Sequence, residues 1–302
     1  MPKASSSGHK LGQLVGDWWE EYVVLPLLNE IANDLNLYLD HRFRERNCRE
    51  GSKIIWEDEN GNKVDYDFVL ELNGSDKKEG IPVGFVEVFW RRGARHSKDK
   101  ARDDSGKLMP MRQTYPTARY LGVAACGSLT EPAREYIKLR DIDLFYVPKS
   151  KIIEAFSENG LIIDYPDKLS EEEKAKLAEE FGNSFDNEMK KKISDTLKKV
   201  IGKATIQSYK SKISSSLSAL PQEIRFQEAN KSEYQSFESI KKATEFLKDP
   251  EFEYKEGNES YIYEITYSDG YEFSREVDSL TKLRELHTEL VKLIKHMEKI
   301  SL

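Results

Sequence analysis

Apolar residues recur at helical spacing from Asp17 to about Arg46, through Trp18, Tyr22, Leu25, Leu28, Ile31, Leu35 and Leu39. The pattern predicts a long amphipathic helix, with Asp17 as its N-cap and Pro26 as a kink or a break. The period then changes. In "KIIWEDENGNKVDYDFVLEL" two apolar runs flank Asn60-Gly61, which predicts a β-hairpin. A strand is predicted over 83–90, then a helix from about Ser97, with Ser97 as N-cap and Asp99 in its first turn. "RYLGVAACGSL" has the composition of a core strand, "TEPAREYIKLR" of a helix with Pro132 near its start, and "IDLFYVP" of another strand. "KSKIIEAFSENG" closes as a helix with Gly160 at its end. This alternation predicts an α/β class: a mixed sheet covered by helices over residues 12–165.

Residues 166–225 have a different character: helical, rich in Lys and Glu, and only moderately apolar, as in a connector whose charged runs are solvated faces. Residues 226–302 change again. "ESYIYEITYSDGYEFSREV" alternates in period two around Asp269-Gly270, a second hairpin. In the helix that follows, Leu280, Leu283, Leu286, Leu290 and Leu293 share one face. A small C-terminal α+β module is expected there, with no repeat relating it to the first domain. Residues 1–11 read as a disordered tail without the apolar stretch of a signal peptide.

Composition narrows the function. Over 302 residues, 33% charged and 38% apolar residues describe a globular chain with room for one large domain or two modest ones. No run of 18 apolar residues occurs, so no membrane span is expected. Cys48 and Cys126 have no metal-ligand spacing and are expected as reduced thiols of a cytoplasmic protein, Cys126 as a small buried hydrophobe. No P-loop, GxSxG, HExxH or GxGxxG motif is present. The net charge of −7 argues against a chain that binds anions all over its surface, but leaves room for a local basic site.

That site is found after "GFVEVFW". Glu87 is a carboxylate inside an apolar strand, where a charge needs a partner. By strand parity Asp65, Asp67, Val69 and Glu71 share one face, and Glu87, Phe89 and Arg91 share another. If the two strands are neighbours, an aspartate sits beside Glu87. Two such carboxylates repel unless a cation neutralises them, and an all-oxygen set suits Mg2+, with Mn2+ as the alternative. Between Glu87 and Arg112 stand eight positive residues: Arg91, Arg92, Arg95, Lys98, Lys100, Arg102, Lys107 and Arg112. Against them are four acids, Glu87, Asp99, Asp103 and Asp104, so the stretch is locally basic and suited to phosphates.

"VDYDFVLEL" followed by "GFVEVFW", with the later "YLGVAACGSL…IDLFYVP", resembles the PD-(D/E)xK nucleases of restriction-endonuclease-like fold. "VEVFWRRGARHSKDKARD" is also similar to restriction-associated members with a W-R-R…H-S…K signature. The resemblance covers about half of the chain. It implies a Mg2+-dependent endonuclease acting on double-stranded DNA, of type II restriction character, with Asp67 (Asp65 as alternate) and Glu87 as metal ligands. Where that family carries its lysine, two residues after the second acid, this chain has Phe89. Lys100 is the preferred replacement, since a compact ammonium can approach a metal-bound water, with Lys98 and Arg91 behind it. Members of the fold also take an acid from the first helix, and of Glu20 and Glu21 the choice falls on Glu21. Arg91, Arg92, Arg95, His96 and Lys98 are expected to contact DNA phosphates. A two-fold homodimer would match a palindromic target, with the C-terminal module serving dimerisation or target contact. Alternatives are a non-catalytic DNA-binding or regulatory protein on the same fold, favoured by Phe89, and a nuclease acting on RNA or structured DNA.

Overall fold

The apolar run predicted at 83–90 forms an 11-residue strand, Ile81–Arg91 (β5), buried along most of its length. A computed structural model of the protein describes residues 7–166, 168–249 and 260–300. The chain divides into two units, Met1–Thr114 with Tyr120–Ile213, and Tyr115–Arg119 with Ser214–Leu302.

In the first unit β5 is the centre of a five-stranded mixed sheet. Its companions are Tyr38–His41 (β1), Phe68–Leu72 (β4), Tyr120–Gly127 (β6) and Asp143–Pro148 (β7), in the order β1-β4-β5-β6-β7. The β1–β4 and β4–β5 pairs are antiparallel; β5–β6 and β6–β7 are parallel. The predicted hairpin forms a separate pair, Ile54–Glu57 (β2) with Lys63–Tyr66 (β3). Its turn is held by the Asp58 carboxylate, which accepts from the backbone N–H groups of Asn60 and Asn62, and Gly61 takes φ +80°.

Helices lie against this sheet: Ser7–Trp18 (α1) on β5, Ser97–Thr114 (α3) on β5 and β6, Glu131–Lys138 (α4) on β7, and Lys149–Ser157 (α5) on β6 and β7. The single long N-terminal helix expected from spacing is divided. After α1 comes a π-helical segment, Trp19–Val24, then Leu25–Asp34 (α2), with Pro26 in the first turn of α2. Proline has no N–H to give to the preceding turn, and a wider turn in front of it absorbs the mismatch. The helix also ends earlier than the apolar spacing suggests. Asn36 adopts φ +48°, and the chain enters β1. Asp17 is therefore inside α1 rather than capping it, and its carboxylate pairs with Arg42. Of the tail expected over 1–11, residues 1–6 lie outside the described residues, and from Ser7 the chain is helical.

Trp18 and Trp19 are both fully buried. Trp19 stacks on Phe145 and donates to the Ala124 carbonyl, while Trp18 meets Phe156 edge-on. Phe156 in turn contacts Phe181 and Phe185. Those phenylalanines anchor Glu171–Ser184 (α6), beside Asn187–Ile201 (α7), so residues expected to be a connector are core of the first unit. Lys203–Ser218 (α8) contributes Tyr209, stacked on Phe145.

The second unit is a four-stranded antiparallel sheet. Pro221–Glu228 (β8), Tyr234–Phe237 (β9), Tyr261–Tyr267 (β10) and Glu272–Val277 (β11) are ordered β11-β10-β8-β9. Ile240–Leu247 (α9) and Leu280–Ile300 (α10) complete its core, and all five leucines of the predicted α10 stripe are buried. The α+β character holds, although the sheet starts at Pro221, before the expected boundary. Among the described residues no helix is long and apolar enough to cross a membrane.

His287 shares the leucine stripe and is 3% exposed. Its Nδ1 is 2.9 Å from the Tyr263 hydroxyl and its Nε2 2.8 Å from Thr244 Oγ1. The Thr244 hydroxyl already donates to the Ile240 carbonyl, so it accepts from Nε2–H, and the ring is neutral. Burial, then the Lys295 charge, lowers its pKa from 6.5 to about 4. The unfolded chain then binds a proton that the folded one refuses. The His287 contribution to stability should be level above pH 6.5 and fall by about 3 kcal/mol between 6.5 and 4. His41, lowered to about 4 by burial and Arg44, adds a second fall in the same window. Urea unfolding at several pH values should show a shallower acid-side slope for His287→Gln than for wild type.

Candidate active site

The site is assembled from the β4–β5 pair, α3 and the π-helical segment. Phe68 pairs with Val86, and continuing that antiparallel register by one residue sets Asp67 opposite Glu87. Asp67 lies at the break between β3 and β4. It is half-buried, and its Oδ2 accepts from the Val88 backbone N–H at 2.6 Å. The break separates Asp65 from the strand-face grouping expected for it. Asp65 belongs to the β2–β3 hairpin, where its Oδ1 accepts from the Ile54 N–H. Glu71, at the other end of β4, is buried in a two-pronged pair with Arg46.

Glu87 is 2% exposed, on the β5 face that also carries Phe85 and Phe89. The opposite parity carries Trp90, next to Gly16 of α1. Against Glu87 stands one face of α3, on which Lys100, Asp104 and Lys107 are spaced i, i+4 and i+7. The Lys107 ammonium donates to Glu87 Oε2 at 2.9 Å. Lys100 donates to Asp104 Oδ1 at 2.5 Å, and its ammonium lies 5.4 Å from the centre of the Phe89 ring. Asp104 is wholly buried. Within the first helical stretch it is Glu20, and not Glu21, that turns inward. Glu20 is buried and held by Arg42 through both carboxylate oxygens, whereas Glu21 stays half-exposed. The expectation for Glu21 is corrected accordingly.

The acids are electrostatically coupled. Burial raises Glu87 to about 8; the negative charges of Asp67 and Asp104 add to the rise, and Lys107 opposes it. Burial also raises Asp67 and Asp104, against the pull of Lys100 and Lys107. Glu20 is raised to about 7 by burial, resisted by its hydrogen bond to Arg42 and assisted by the Asp67 charge. Burial works against the charge of Lys107, but Glu87 outweighs it and the ammonium is held above its ordinary range. Four acids thus face three cations, and part of the surplus negative charge is suppressed by protonation at neutral pH.

No family model, curated protein or solved structure matches the chain.

Among the described residues no three His, Cys, Asp or Glu side chains are arranged to hold a metal ion. Two buried carboxylate oxygens, Glu87 Oε1 and Asp104 Oδ2, nevertheless have no donor directed at them. The two carboxyls lie within hydrogen-bond reach of each other, which is favourable only with a proton between them. Bare, dry, acidic oxygens fit a hard divalent cation that completes its shell with water or phosphate oxygens.

The expected phosphate contacts are spread along the loop into α3. Arg92 donates to the Tyr165 carbonyl and stacks on the Tyr165 ring, an internal brace. Arg91 is half-buried; Arg95 and Lys98 are exposed. His96, at φ +62°, pairs with Asp99 through Nδ1 at 3.1 Å. Of this cluster the sequence singled out Asp67, Glu87 and Lys100; Glu20 was passed over for Glu21, and Asp104 and Lys107 were counted only among the charges of the basic stretch. The i, i+4, i+7 spacing of Lys100, Asp104 and Lys107 was the available signal, hidden in a run of nearly continuous charge.

Proposed function

We propose that the protein is a Mg2+-dependent endonuclease acting on double-stranded DNA, of type II restriction character, on a restriction-endonuclease-like fold. The observation that carries the reading is the pair Asp67 and Glu87, Asp67 just before β4 with its Oδ2 on the Val88 N–H and Glu87 within β5, with two lysines of α3 beside them. Asp67 and Glu87 would hold the cation, which when bound supplies charge neutralisation at the phosphodiester and a more acidic water. Glu20, in place of Glu21, is the acid from the first helical stretch. Lys100, drawn over Phe89, brings an ammonium near the position that the family's strand lysine fills. Its role is to stabilise negative charge growing on the phosphate and to orient water. Arg95 and Lys98, exposed at the start of α3, are the cations best placed to grip the DNA backbone, with Arg91 and His96 beside them. Two-fold symmetric association of two copies would match a palindromic duplex target, the second unit serving dimerisation or target contact.

A second reading has one observation in its favour: Lys100 and Lys107 are each paired with an acid, as in a purely structural ion cluster on a non-catalytic DNA-binding protein. A structural cluster gains nothing from burying two acids, Glu87 and Asp104, with an oxygen of each left bare. Lys100→Met separates the two. Loss of an electrostatic stabiliser at the reacting phosphate lowers cleavage by roughly 10^2-fold. Binding of uncleaved duplex, followed by fluorescence anisotropy, should change little. Equal loss of binding and cleavage would favour the structural cluster.

A further inference from the structure

Three carboxylates of the first unit share one arrangement, in which one oxygen is tied down and the other left over. Asp67 Oδ2 takes the Val88 N–H, Glu87 Oε2 the Lys107 ammonium, and Asp104 Oδ1 the Lys100 ammonium. Glu87 is 2% exposed and Asp104 0%, and their second oxygens, Oε1 and Oδ2, receive no donor. A buried acceptor without a partner costs about 1–3 kcal/mol, and the two carboxyl groups interact with each other. If Asp104 existed only to pair with Lys100, a surface position on α3 would serve, at no desolvation cost. The lysines instead take the outer oxygens and leave Glu87 Oε1 and Asp104 Oδ2 without a donor.

The geometry points to Asp104 as a ligand of the divalent cation, shared with Glu87 through Asp104 Oδ2 and Glu87 Oε1. Helix α3 then helps to build the cation seat, which is not confined to the two strands. This rests on the nuclease reading of the same cluster and adds a residue that the resemblance does not supply. Two direct carboxylates, with Asp67 close by and the remaining positions left to water and phosphate oxygens, suit an ion that keeps much of its hydration.

The test is Mn2+ binding by the full chain at pH 8, followed by electron paramagnetic resonance of the free ion, for wild type, Asp104→Asn, Asp104→Ala, Glu87→Gln and Lys100→Met. Circular dichroism confirms the fold of each. Wild type should bind Mn2+, and both Asp104 variants and Glu87→Gln should bind it roughly tenfold or more weakly. Lys100→Met removes the ion pair but keeps the carboxylate, so it should retain binding. Asp104 variants that bind Mn2+ as tightly as wild type, while Glu87→Gln does not, would overturn the assignment and leave the nuclease reading intact. Weakening by Lys100→Met equal to that by Asp104→Asn would also overturn it, showing that Asp104 acts only through Lys100. Absence of Mn2+ binding by wild type, with or without DNA, would remove both.

Discussion

Glu87→Gln and Asp67→Asn should each lower DNA cleavage by about 10^3-fold or more, because the charge stabilisation lost with the cation is worth several kcal/mol and each 1.4 kcal/mol is tenfold. Both replacements are isosteric, so packing around β5 is preserved. Glu87 is the more sensitive of the two. It is almost fully buried on the central strand and is bound by Lys107, whereas Asp67 is half-buried at a strand break. Single-turnover cleavage separates a chemical defect from weakened DNA binding. The account expects the loss in the rate of the chemical step, with duplex affinity nearly unchanged.

The second large effect is on stability, and its sign runs against the usual cost of mutating a buried residue. Glu87 is raised from 4.5 to about 8 in the folded state, so between these values the folded chain holds a proton that the unfolded chain has released. Its contribution is complete below about pH 4.5 and lost as pH rises through 8. By pH 8 the loss approaches about 4 kcal/mol. Glutamine is neutral at every pH. Glu87→Gln should therefore be more stable than wild type at pH 8 without divalent cations, with the two converging towards pH 5. Adding Mg2+ should raise the wild-type melting temperature, more at pH 8 than at pH 6, because binding must expel the proton. The variant should not respond. Thermal unfolding with EDTA or Mg2+ at both pH values checks all three statements. A wild type as stable as Glu87→Gln at pH 8 without divalent cations, and indifferent to Mg2+, would count against a cation seat at Glu87.

This opposition between stability and cation response is what a functional site predicts and a structural ion pair does not. The carboxylates of Arg46's partners, Asp40 and Glu71, are equally buried, but each is matched by guanidinium hydrogen bonds. Removing an acid there should destabilise the fold.

Much of the first unit was readable from local pattern. The apolar strand containing Glu87, the hairpin at Asn60-Gly61 and the later strands and helices follow from period, turn residues and caps. Glu87 stood out because a charge in a buried strand has few innocent explanations. What could not be read depended on contacts distant in sequence. The helical spacing through Leu35 and Leu39 continued past the true end of α2, because Leu39 is buried as a strand residue just as it would be on a helix. The choice between Glu20 and Glu21 turned on a π-helical segment, which rotates side chains away from the regular helical repeat. The supposed connector belongs to the first unit because Phe181 and Phe185 anchor an otherwise charged helix against Phe156. Lys107 and Asp104 look like ordinary members of a solvated charged face until the helix is set against β5.

The central claim is that this cluster cuts DNA. Its most direct test is incubation of the purified full chain with supercoiled plasmid and phage DNA of varied sequence, with Mg2+ or with EDTA, beside Glu87→Gln. The account predicts Mg2+-dependent conversion to discrete fragments by wild type, blocked by EDTA and absent in the variant. Intact DNA throughout, or cleavage that Glu87→Gln retains, would contradict it.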